Sequence, residues 1–181
     1  QIEGQLPGIA EATRRATLIL NLSLDDVGER HDRIRGAPGN WDRMMAARDL
    51  ALSLQRENPH VTIGIHTVIS TLNVDRFPDV HRQLKELRPD SYITEIAEER
   101  VELKTVGKEI TPGGEAYGRA ADYLIGEMRR NRSANPMGRL VESFRLEYYD
   151  LVKEYLERRE QVIPCYAGWA SAQIAPDGHV W

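Results

Sequence analysis

Leu18-Ile19-Leu20-Asn21-Leu22-Ser23-Leu24-Asp25 is the stretch that decides the fold. Successive side chains of an extended strand point to opposite faces, so Leu18, Leu20, Leu22 and Leu24 fall on one side and Asn21, Ser23 and Asp25 on the other. One face suits a hydrophobic core and the other polar contact. The same period returns in Val61, Ile63, Ile65, Thr67 and Ile69, with Gly64, His66, Val68 and Ser70 opposite. A third strand runs from Ser91 to about Ala97, where Tyr92, Ile93 and Ile96 leave open which face turns inward.

Helical spacing fills the intervals. A first helix covers about Pro7 to Ala16. A second opens at Asn40 as N-cap and carries Trp41, Met44, Ala47, Ala51 and Leu54 in one stripe. Phe77, Val80, Leu84 and Leu87 form the next, which Pro89 stops. Thr111-Pro112 starts a helix whose buried face is Tyr117, Ala120, Ala121, Leu124 and Met128; a last long one carries Val141, Phe144, Tyr148, Leu151, Val152 and Tyr155. Strands separated by helices of this length predict an α/β fold with a parallel sheet, because each crossover must return the next strand to the same end. Three such strands leave two unpaired edges, so the expectation is part of a (β/α) TIM-type barrel. Its site would lie beyond the carboxyl ends of the strands, near Ser23 to Asp26, Ile69 to Asn73 and Thr94 to Glu98.

The whole chain narrows the function classes. Its 181 residues suffice for one ordinary core. A content of 41% hydrophobic and 29% charged residues fits a globular and not a disordered chain. No apolar run is long enough to span a bilayer. A net charge of -4 provides no broad basic field, which argues against nucleic acid as a partner. Cys165 is the only cysteine, so no internal disulfide forms, and a reducing, cytoplasmic compartment is expected. The chain opens on Gln1, without an initiator Met, and stops at Trp181 after a strand-like run; a piece of a longer protein is the expectation.

After the first strand come Ser23-Leu24-Asp25-Asp26, then His31-Asp32-Arg33-Ile34-Arg35-Gly36, then Gly39-Asn40-Trp41-Asp42. This order, with Thr67-Val68-Ile69 leading to Asn73, resembles the radical S-adenosylmethionine enzymes over Leu18 to about Glu98. The resemblance implies cofactor contacts at Ser23 and Arg35, and further ones at Asp25, Asn73 and Glu95. Arg35 offers a rigid fork of donors suited to the carboxylate of S-adenosylmethionine. On their own chemistry, Asp25 and Asp26 can equally cap a turn and Arg35 form a surface ion pair. The 14-residue segment from Asp26 to Gly39 reads as a long, functional βα loop.

At the other end, Cys165, Tyr166-Ala167-Gly168-Trp169 and the turn signal Pro176-Asp177-Gly178 are similar to the opening of a SPASM or twitch domain. That places residues 1–163 in the barrel and 164–181 in the start of a small β-hairpin iron–sulfur domain. The resemblance makes Cys165 a ligand of an auxiliary 4Fe–4S cluster, a role that thiolates suit; a buried structural cysteine is the alternative. The family holds its catalytic 4Fe–4S cluster through a Cys-x-x-x-Cys-x-x-Cys loop that this sequence does not contain. Either that loop precedes Gln1 in the intact protein or the protein is a degenerate relative.

The implied activity is reductive cleavage of S-adenosylmethionine to a 5′-deoxyadenosyl radical, which abstracts hydrogen from a peptide or small-molecule substrate. An electron donor such as a flavodoxin or ferredoxin is the implied partner. No catalytic base carries over. Two other readings stand beside it: a non-catalytic half-barrel that binds protein, and an ordinary (β/α) barrel enzyme acting on a phosphorylated metabolite held at a helix amino end. His66 lies on the inner face and is given no role. His31, His60, His81 and His179 lack metal-ligand spacing and are expected to be solvated or hydrogen-bonded.

Overall fold

The computed structural model describes residues 4–101, 104–164, 166, 169–170, 172, 174 and 177–180. The chain divides into two compact units, Gln1–Glu127 and Met128–Trp181. Within the first, α1 (Leu6–Ala12), β1 (Leu18–Ser23), α2 (Gly28–Arg35), α3 (Asn40–Glu57) and β2 (Val61–Ile69) follow in order. After them come a 3-10 turn (Val74–Arg76), α4 (Phe77–Glu86), β3 (Ser91–Ile96) and α5 (Gly114–Arg130), whose last residues pass into the second unit.

The fold is α/β. The three strands form one parallel sheet in the order β1-β2-β3, with Leu18 opposite Val61 and Gly64 opposite Ser91. The alternation read from the sequence divides its two faces. Leu22, Leu24, Ile63 and Ile65 pack with Ala51 of α3 and Val80 and Leu84 of α4, and Trp41, Met44 and Tyr92 close around them. Burying side chains of this size removes apolar surface from water at about 25 cal/mol per Å², which is the main force holding both helices to the sheet. Tyr92 thus settles the inward face of β3. It also touches His81 edge-on, with ring centroids 4.7 Å apart, while the Tyr123 hydroxyl of α5 lies 3.1 Å from His81 Nδ1. The opposite face carries Ile19, Asn21, Ser23 and Glu95, all exposed, with His66 and Ile93 half-buried. No helix covers it among the described residues.

Two elements differ from expectation. The Asp26 to Gly39 segment is not a simple loop, because eight of its residues form α2. That helix has no apolar stripe to announce it; its buried side chain is His31. Gly36 ends it in the left-handed region at φ 61, where its N–H reaches Arg33 O and that of Ala37 reaches Asp32 O. Asn40 is the first residue of α3 and not its cap: Asp32 does that work from the previous helix, accepting the N–H groups of Gly39 at 2.6 Å and Trp41 at 2.7 Å. These bonds hold the Asp32 carboxyl below the usual carboxylate range, the Trp41 bond most.

The second unit contains α6 (Pro136–Arg158), where Asn135 caps the helix by accepting from Met137 N–H at 2.9 Å and Pro136 stands at the first helical position. Beyond it, Ile174 and Val180 pair in an isolated antiparallel bridge across a turn in which Gly178 takes φ 88. Cys165 lies outside the described residues. No helix among them is long and apolar enough to cross a membrane.

Candidate functional site

Two groups of polar residues occupy the carboxyl ends of the strands. The first is a closed knot. Asp25, just past β1, accepts Val68 N–H through Oδ1 at 2.9 Å and pairs through Oδ2 with Arg35 Nε at 2.8 Å. Asn73 donates from Nδ2 to Asp25 O at 2.8 Å and Val68 O at 2.9 Å, and accepts Ser70 N–H through Oδ1. The Asp25 side chain is 6% exposed and Asn73 is 1% exposed, while Arg35 remains 33% exposed at the edge of the knot. They join β1, β2, α2 and the turn after β2.

His31 completes the knot. The backbone N–H of Asp25 can only donate, so His31 Nδ1, 3.3 Å away, is the acceptor. Nε2 then carries the ring proton and lies 2.9 Å from Asn40 Nδ2; exchanging the amide nitrogen and oxygen, which are assigned from the hydrogen-bond network, makes Asn40 Oδ1 its acceptor. Burial lowers the His31 pKa, and the nearby Arg35 guanidinium lowers it further, which favours the neutral ring.

The second group is open. Ser23 stands in register with His66 on the helix-free face. Glu95 approaches from β3, its Oε2 3.3 Å from His66 Nε2. That approach lies off the direction of a hydrogen bond, so Nε2 is a buried nitrogen without a hydrogen-bond partner among the described residues. One layer nearer the amino ends, Gly64 lies between Asn21 and Ser91. A Cβ there would come within 2.1 Å of Asn21 Oδ1 and 2.7 Å of Ser91 Oγ, so the absent side chain leaves room for the two polar ones to lean over the strand.

The residues singled out from the sequence are therefore divided. Ser23 and Glu95 lie on the open face. Asp25, Arg35 and Asn73 lie in the knot, where Arg35 and Asn73 each bond Asp25, and no hydrogen bond or ion pair joins Arg35 to Ser23 among the described residues. No family model, curated protein or solved structure matches the chain.

His66 has a sign in the sequence, since its place in an alternating strand puts it on the same face as Ser23. The burial of His31 had no comparable sign. His81 did, since it sits four residues after Phe77 on the apolar stripe of α4. Among the described residues, no group of three His, Cys, Asp or Glu side chains is placed to hold a metal ion.

Proposed function

We propose that this chain is part of a radical S-adenosylmethionine oxidoreductase, a (β/α) barrel segment whose helix-free sheet face lines the cofactor cavity. The observation that carries the reading is the sharing of one uncovered face by Ser23, His66 and Glu95 at the carboxyl ends of three parallel strands. An orphaned ring nitrogen and a glycine floor flanked by Asn21 and Ser91 suit a polar ligand lying flat against the sheet. Ser23 would hold the cofactor by its hydroxyl, and His66 and Glu95 would accept or donate at its ribose or amino groups. When bound, S-adenosylmethionine and a reduced 4Fe–4S cluster would supply the 5′-deoxyadenosyl radical. Arg35 orients Asp25 through Nε, leaving the cofactor carboxylate to its Nη groups alone.

A second reading, a non-catalytic half-barrel that binds protein, is favoured by the same knot, because three of the five implied cofactor contacts are bonded within the chain. Anaerobic iron and sulfide analysis of the intact polypeptide, with S-adenosylmethionine binding, separates the two. The enzyme reading expects a 4Fe–4S cluster and binding weakened about tenfold in Ser23→Ala. It also expects Cys165→Ala to lower iron without emptying the catalytic cluster. Iron-free protein, or equal binding by Ser23→Ala, would leave the binding module standing.

A further inference from the structure

Outside the open face, a cleft of about 480 Å³ lies between the side of α2 and the 3-10 turn, lined by Asp26, Arg30, Arg33, Ile34, Leu72 and Arg76. Its one carboxylate is engaged. Asp26, 1% exposed, accepts both of its 2.5 Å bonds from Arg76 Nη1, and Val27 N–H adds a third at 2.7 Å. Arg76 is thereby fixed in orientation, with Nε and Nη2 left over. Arg30 and Arg33 stand three residues apart, on neighbouring positions of the exposed side of α2, and neither guanidinium has an ion pair or hydrogen bond among the described residues. The cleft thus sets three guanidinium groups against one carboxylate in a chain whose net charge is -4. Leu72, 60% exposed, and Ile34 supply an apolar wall.

The geometry points to an anion site: the cleft takes the phosphate of a small phosphomonoester, with Arg30, Arg33 and Arg76 on its oxygens and Leu72 and Ile34 against its carbon skeleton. Three planar donor forks match a dianion with several oxygens better than a monocarboxylate. The volume falls in the range of about 300–1,000 Å³ usual for small-molecule sites. A nucleic-acid backbone is disfavoured because the positive charge is confined to this cleft and does not extend as a stripe. Because Arg76 is already held by Asp26, its share of the ordering is complete before the ligand arrives. None of these residues belongs to the open face, so the site does not depend on the reading proposed above.

The test is a titration of the isotope-labelled chain with phenyl phosphate, inorganic phosphate and benzoate, followed through arginine side-chain and backbone resonances. Phenyl phosphate is expected to bind more tightly than inorganic phosphate, and both more tightly than benzoate. The double variant Arg30→Gln, Arg33→Gln should weaken phenyl phosphate by about tenfold or more. Leu72→Ser should remove only the advantage of phenyl phosphate over inorganic phosphate. Both arginines are exposed, and unchanged amide resonances away from α2 would confirm that the variant is folded. Benzoate binding as tightly as phenyl phosphate, or a double variant within about twofold of the parent, would overturn the site. Inorganic phosphate binding as tightly as phenyl phosphate would overturn the ester ligand.

Discussion

Asn73 shows how much one side chain can carry. Its amide makes three hydrogen bonds, to Asp25 O, Val68 O and Ser70 N, in a place that water does not reach. Asn73→Ala would leave two carbonyls and an N–H unsatisfied, and is expected to cost about 2–4 kcal/mol of stability in urea unfolding. A loss below about 0.5 kcal/mol would mean that the knot is not structural. His81 makes a different statement, about pH. Burial first and Lys85 second push its pKa down from 6.5 to about 4. The unfolded chain therefore takes up a proton below pH 6.5 that the native chain excludes. Stability is full above that pH and falls as pH drops toward 4, by roughly 3 kcal/mol for this residue. His31 adds a slope of the same sign. His81→Phe, which keeps the ring among Phe77, Tyr92 and Tyr123, should flatten the slope between pH 6.5 and 4; an unchanged slope would contradict the assignment.

Strands and helices differ in how openly the sequence announces them. β1 and β2 alternate cleanly because one face packs on helices and the other meets none, so period two survives in the residue types. β3 was ambiguous for want of that contrast: Tyr92 and Thr94 face the helices, and Ile93 is an apolar residue on the helix-free face. α2 was invisible since it buries a histidine instead of a hydrophobic stripe, and the cap of α3 was misplaced since Asp32 reaches it from eight residues before its start. The candidate site was half legible for the same reason. Alternation put Ser23 and His66 on one face, but nothing in the order of residues showed that Arg35 and Asn73 would both bond Asp25. The two sides of the segment 18–24 predict opposite responses. Leu24→Ala, at a fully buried position, should cost about 2–5 kcal/mol. Ile19→Thr, at a position 56% exposed, should change stability by less than about 0.5 kcal/mol. Chemical denaturation of both variants checks the pair, and comparable losses would show that the outer face is covered.

At the scale of the molecule, a parallel sheet with helices on one side and polar groups on the other needs something to occupy its bare face. In the proposed enzyme that occupant is the cofactor and the remainder of a barrel. The measurement that tests this most directly is product analysis of the intact polypeptide, purified anaerobically, reduced and incubated with S-adenosylmethionine. Formation of 5′-deoxyadenosine and methionine in equal amounts is the expected result; S-adenosylmethionine left uncleaved by iron-loaded, reduced protein would contradict the account.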